Sequence, residues 1–116
     1  RFLKLNVSGA FHSPFMNEPS AKFSEYLKQI KFKNPSLPVI SNYEPSLCSD
    51  PNELKIRLER QMCNGVRWRE TMDLMAKDTD LHIVEIGPSN VLSGLVKRHL
   101  RDVKISQVSS SDQIPY

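Results

Sequence analysis

Along the chain the apolar positions fall into a few short periodic runs. Phe2, Leu3, Leu5 and Val7 interleave with Lys4 and Asn6, a near-alternation that predicts a half-buried strand ended by Ser8 and Gly9. From about Glu18 to Lys31 the residues Phe23, Tyr26, Leu27 and Ile30 recur at i, i+3, i+4 and i+7. They predict a helix with one buried face, Lys22, Glu25 and Lys28 on the other, and Pro19 tolerated in its first turn. Leu37-Pro38-Val39-Ile40, bounded by turn residues, reads as a short buried strand. A loop follows in which Ser49 or Asp50 can cap a helix from about Pro51 to Cys63, with Leu54, Leu58 and Met62 buried at i, i+4 and i+8. Asn64-Gly65 then reads as a left-handed stop signal.

A second helix, about Arg67 to Lys77, places Trp68, Met72 and Met75 on one side, and Met62, Met72 and Met75 read as core filling. Leu81 to Ile86 is mostly apolar and β-branched, a strand, and Gly87-Pro88-Ser89-Asn90 turns into a helix that buries Val91, Leu92, Leu95, Val96 and Leu100. Val103, Ile105 and Val108 make a last strand before a polar tail that begins at Ser109 and is expected to be loosely held. Strand, helix, strand, helix, helix, strand, helix, strand is an α/β order with crossover helices, which implies a mostly parallel sheet. The first strand is the odd member and need not share that sheet.

Composition changes this picture little. With 116 residues, 39% hydrophobic and 25% charged, the chain is globular in composition and the size of one ordinary domain. It begins at Arg1 without a methionine and runs at once into a strand, so it is expected to start inside a larger protein. No run of about 18 apolar residues and no charged-then-apolar-then-small pattern is visible within these 116 residues, and neither a membrane span nor a membrane partner is expected. The formal charge of +3 is dispersed among acids, as in Glu59-Arg60 and Arg69-Glu70, and no nucleic-acid motif accompanies it. Cys48 and Cys63 lack CxxC spacing and read as thiols rather than as a disulfide or a metal pair; no metal is expected.

The candidate chemistry lies in Val7-Ser8-Gly9-Ala10-Phe11-His12-Ser13-Pro14-Phe15-Met16. Here one histidine follows a strand in a small-residue turn and is flanked by bulky apolar residues. An imidazole with an ordinary pKa near 6.5 can take a proton from a hydroxyl and return it to a leaving group, given a nucleophile and a group that orients the ring. From the residues alone, His12 either does this or caps a backbone group. His82 and His99 are lone histidines in regular elements and read as packing or surface residues.

Gly9-Ala10-Phe11-His12-Ser13-Pro14-Phe15-Met16, Pro38-Val39-Ile40-Ser41-Asn42, the run Arg60 to Trp68, and the run Glu85 to Leu95, in this order, resemble the C-terminal part of the malonyl-CoA:acyl carrier protein transacylase family. The resemblance covers nearly the whole chain. It implies an α/β-hydrolase-like large subdomain interrupted by a ferredoxin-like small subdomain, with the active site between them. Residues 1–8 would be the last strand of the small subdomain, 9–16 the active-site turn, 17–108 the C-terminal part of the large subdomain and 109–116 a flexible tail. The family's function is malonyl transfer from coenzyme A to the phosphopantetheine thiol of acyl carrier protein, through a malonyl-serine ester, in fatty acid synthesis.

By the same resemblance His12 is the general base, and the main-chain carbonyl of Gln61 accepts its N–H in place of an aspartate. Ala10-Phe11-His12 is the triplet that accompanies malonyl rather than methylmalonyl units, Phe11 filling the space of a branching methyl. The family's GHSxG serine, its malonyl-binding arginine and its GQG glutamine have no counterpart in this sequence. The missing N-terminal part of the same protein is therefore an implied partner, beside malonyl-CoA and acyl carrier protein, and the isolated chain is expected to be inactive. No cofactor beyond the substrates is implied. The compartment is open between bacterial cytoplasm, plastid and mitochondrion. The alternative is a catalytically incomplete half-domain that binds acyl carrier protein, Lys97, Arg98 and Arg101 meeting its acidic surface. Two positions depart from the family: Asn64-Gly65 stands for Asn-Pro, and Gly87-Pro88-Ser89 for Gly-Pro-Gly, where Ser89 could serve as a helix N-cap.

Overall fold

The computed structural model describes residues 9–114, so the strand read from Phe2 to Val7 lies outside the described residues. A 3-10 turn, Pro14–Met16, leads into α1, Asn17–Lys28; α2 is Pro51–Gln61, α3 Trp68–Met75 and α4 Val91–His99. The strands are β1, His82–Ile86, and β2, Lys104–Val108, and a 3-10 turn at Ser111–Gln113 follows. The chain forms two compact units, one up to Trp68 and one from Arg69.

In the first unit α1 packs on α2. Asp50 starts α2: its carboxylate accepts the Glu53 N–H at 2.7 Å, and Pro51 occupies a first-turn position where its missing N–H costs nothing. Lys55 of α2 donates to the Ile30 carbonyl beyond the end of α1 at 2.8 Å and lies over the Phe32 ring. The buried residue of α2 is Arg57, held by Glu53 at 2.9 Å and by the carbonyls of Ser46 and Glu44 at 2.9 and 3.3 Å. It ties the helix to the loop that precedes it. The expected apolar face is displaced accordingly, with Leu54 and Met62 half-buried and Leu58 exposed. On α1 only Leu27 is buried and Tyr26 is exposed; Ile30, expected on the buried face, lies beyond the helix end and is exposed.

The strand expected over Leu37–Ile40 is not formed. A single antiparallel bridge joins Val39 to Cys48, and Leu37 is 75% exposed. A strand buried on both faces needs neighbours on both edges, and Pro38 offers no N–H to one of them. Gly65 does not take a left-handed φ. The end of α2 is closed instead by the Asn64 side chain, whose Nδ2 donates to the Arg60 carbonyl at 2.7 Å. Cys48, buried, and Cys63 are free thiols.

In the second unit β1 and β2 pair in parallel, His82 opposite Lys104 through Ile86 opposite Val108, with α4 as the crossover. Val96 and Met72 are buried. The inward residue of β1 is Glu85, while Val84 and Ile86 point outward. Its carboxylate accepts the N–H groups of Leu92 and Ser93 at 3.2 and 2.8 Å and so caps α4 from the neighbouring strand. Ser89 is therefore not the N-cap; Asn90 occupies that position without a side-chain bond. The first turn of α4 faces outward, with Val91 and Leu92 exposed and Ser93 buried, which corrects the expected face for those two residues. Ser109 bonds the Gln113 side chain through both its N–H and its hydroxyl.

Candidate functional site

A helix ends with carbonyls that have no intrahelical partner. At the end of α2 three consecutive ones are filled from outside the helix: Arg60 by the Asn64 side chain, Gln61 by the His12 ring and Met62 by the His12 backbone. The His12 N–H donates to the Met62 carbonyl at 3.0 Å, and His12 Nδ1 lies 2.9 Å from the Gln61 carbonyl oxygen. The backbone anchor and the ring anchor are adjacent residues of one helix end, so the ring is oriented as well as tethered.

The turn that brings His12 there is strained. His12 has φ +60°, left-handed backbone that a β-carbon disfavours by about 1–2 kcal/mol and that histidine adopts more readily than most residues. Ser13 closes the turn by donating its hydroxyl to the Ala10 carbonyl at 2.6 Å, and the Met16 N–H returns to the Ser13 carbonyl at 3.0 Å. The two bonds to α2 offset the strain, each worth about 1 kcal/mol net. Gly9 lies against the Phe11 ring, 3.3 Å from where a β-carbon would sit. Phe11 itself is 60% exposed and Ala10 is exposed beside it.

With the Nδ1 proton donated to Gln61, the lone pair is left on Nε2, which has no hydrogen-bond partner among the described residues of an exposed side chain. That is the arrangement of a ring prepared to accept a proton. It also joins the two readings left open by the sequence, since His12 caps a backbone group with one nitrogen and presents the other. His82 and His99 are occupied elsewhere, His82 Nε2 2.8 Å from the Ser106 hydroxyl and His99 Nε2 2.6 Å from the Asp73 carboxylate. No group of three or more potential metal ligands occurs among the described residues.

Residue patterning did not point to the Met62 carbonyl, the left-handed φ of His12 or the role of Glu85. The first two are main-chain features without a side-chain signature. Glu85 had one: a lone carboxylate inside the apolar run Ile83 to Ile86. The Ser93 hydroxyl beside it, although poorly aligned, and the N–H groups of Ser93 and Leu92 hold its carboxyl below the ordinary range against the opposing cost of burial.

No family model matches the chain. It is 40% identical over 114 residues to a malonyl CoA-acyl carrier protein transacylase of Synechocystis sp., covering 98% of this chain and 39% of that protein. It is 38% identical over 105 residues to a polyketide biosynthesis malonyl CoA-acyl carrier protein transacylase of Bacillus subtilis, covering 88% of this chain and 35% of that protein. Among solved structures, the Synechocystis malonyl-CoA:ACP transacylase superposes with a TM-score of 0.87 at 41% identity, over 93% of this chain and 37% of that one. A malonyl-transacylase in complex with a type II polyketide acyl-carrier protein gives 0.84 at 30% identity, over 93% and 35%.

Proposed function

The chain is homologous over nearly its whole length to malonyl CoA-acyl carrier protein transacylases, and we propose that it supplies the general base of such an enzyme, acting in fatty acid synthesis. The observation that carries this reading is the pairing of His12 Nδ1 with the Gln61 carbonyl at 2.9 Å, which leaves Nε2 unpaired. The proposed context is the family's: residues 1–8 in a ferredoxin-like subdomain, 9–16 as the active-site turn, 17–108 in an α/β-hydrolase-like subdomain and 109–116 as a tail. On this reading the family's nucleophilic serine, carboxylate-binding arginine and oxyanion glutamine, which have no counterpart among these 116 residues, would be supplied from outside them.

In the first half-reaction Nε2 takes the serine hydroxyl proton as the oxygen attacks the malonyl thioester carbonyl. The C–S bond then breaks and the imidazolium returns the proton to the departing coenzyme A thiolate. In the second, Nε2 takes the proton of the phosphopantetheine thiol, sulfur attacks the malonyl-serine ester, and the serine oxygen leaves with that proton. Throughout, the imidazolium faces the carbonyl end of α2, a neutral acceptor in the place where many hydrolases use a carboxylate. The chemistry asks for no metal or resident cofactor.

Phe11 beside the base, in the Ala10-Phe11-His12 triplet, is the proposed determinant of malonyl over methylmalonyl. A carrier protein is the proposed partner, in line with the carrier complex of a structural neighbour, and exposed Lys97, Arg98 and Arg101 are its proposed contact from their charge alone. If they are, affinity of the chain for holo-carrier falls as salt is raised, and salt-independent binding or none removes them from the assignment. The activity is tested by incubating the full-length protein with malonyl-CoA and then with holo-carrier. A hydroxylamine-labile malonyl ester on serine that disappears as the carrier thiol is loaded is the expected result; loading without the ester contradicts the mechanism.

A further inference from the structure

Gln61 makes two contacts to one ring nitrogen, and they ask opposite things of it. Its carbonyl, 2.9 Å from His12 Nδ1, is an acceptor and requires a proton there. Its side-chain amide nitrogen, 3.1 Å from the same Nδ1, is a donor and requires a lone pair. A neutral imidazole nitrogen can satisfy only one of them. The carbonyl is fixed in the last turn of α2 and cannot turn away. The amide can rotate half a revolution about its terminal bond without changing shape, and its O and N ends are distinguished only by their hydrogen bonds.

Those bonds favour the rotation. With the nitrogen toward the ring, Oε1 is buried without a donor, and Nε2 retains only a long 3.4 Å contact to the Asn64 carbonyl. With Oε1 toward the ring, the buried oxygen gains the Nδ1–H as a donor and the N–H to N–H opposition disappears. The cost is the weak Asn64 contact and an unpaired NH2 in place of the unpaired oxygen.

We infer that the Gln61 side chain is a positioning residue that fixes the tautomer of His12, its Oε1 serving beside its own carbonyl as a second acceptor of the Nδ1 proton. The proton is then held at Nδ1 by two oxygens of one residue, and the lone pair is kept at Nε2, where proton transfer takes place. The inference rests on the general-base reading for its purpose but not for its test, because the tautomer exists without serine or substrate.

The experiment uses the nitrogen-15-labelled chain at a pH where the ring is neutral and reads the tautomer ratio of His12 from its two ring-nitrogen shifts. In the unaltered chain the Nδ1–H form dominates. Gln61→Glu, which offers only acceptors, keeps that dominance. Gln61→Met, which keeps the length and offers none, lowers the Nδ1–H to Nε2–H ratio by about 2- to 10-fold, the worth of one net hydrogen bond. A ratio that is unchanged or higher in Gln61→Met, or lowered equally in both variants, overturns the inference. So does a strong nuclear Overhauser contact between the Gln61 amide protons and the His12 Nδ1 proton in the unaltered chain, a measurement that needs no variant to fold. Failure here leaves the general-base assignment standing, and failure of that assignment leaves the tautomer result intact.

Discussion

Two helix ends in this molecule are finished by residues from outside the helix, and with opposite polarity. At the carbonyl end of α2, His12 brings donors, its N–H to Met62 and its ring to Gln61. At the amide end of α4, Glu85 brings an acceptor to Leu92 and Ser93. The physical problem is the same at both: groups that the helix cannot satisfy internally must be paired. The outcomes differ in what is left over. Glu85 is 7% exposed, with its carboxylate turned onto the helix end, whereas His12 is exposed and retains a free Nε2. Capping that leaves nothing to react is structural; capping that orients a ring and leaves one nitrogen open is what the proposed general base requires.

The largest effect on stability is expected at the structural end. Glu85→Ala leaves the Leu92 and Ser93 amides without their acceptor and lowers the thermal midpoint by several degrees; an unchanged midpoint would show that the cap contributes nothing. Its pH dependence follows from the sign of the shift. A carboxyl held below its ordinary value in the folded state stabilises fully above the unfolded value of about 4.3 and loses that contribution as pH falls through the folded value. Glu85→Gln should therefore flatten this part of the acid limb of a stability-against-pH curve, and a limb identical to that of the unaltered protein would contradict the assignment.

At the His12 end, the exposed Phe11 ring is predicted to act on selectivity alone. Phe11→Ser in the full-length protein should reduce the preference for malonyl-CoA over methylmalonyl-CoA by about 10- to 200-fold in kcat/KM, the worth of one methyl excluded by shape. Equal losses for both substrates would assign Phe11 to folding instead. The smallest effect is at the far end of α2, where Asp50→Ala removes the cap bond to Glu53 and costs about 1 kcal/mol in denaturant unfolding. His12 and Asp50 hold opposite ends of one helix, so a much larger loss on Asp50→Ala would mean that α2 does not form without its cap.

Legibility of the sequence follows how local each feature is. The α2 start was readable at Ser49 or Asp50 followed by Pro51 and Glu53, because capping involves residues a few positions apart. The β-branched run at Leu81 to Ile86 and the segment around Ile105 emerged as the parallel pair. Leu37–Ile40 was misleading, since an apolar run becomes a strand only beside others, and one bridge to Cys48 is what it makes. Leu58, Val91 and Leu92 keep helical spacing but are exposed, because spacing fixes a face and neighbours decide whether it is covered. At the site, the motif containing His12 drew attention to the ring and, through the family, to Gln61. The Met62 carbonyl and the φ of +60° belong to the main chain and were silent.

That backbone angle also selects the decisive substitution. Asparagine tolerates left-handed backbone better than alanine and retains a side-chain donor for the Gln61 carbonyl, so His12→Asn removes the base with the least disturbance of the turn. The measurement is the single-turnover rate of malonyl-serine formation in the full-length protein, unaltered against His12→Asn, with folding verified by the thermal midpoint. A general base predicts a rate lower by about 10²- to 10⁴-fold at a similar midpoint. Malonyl-serine formed at a near-normal rate by a folded His12→Asn protein would contradict the account.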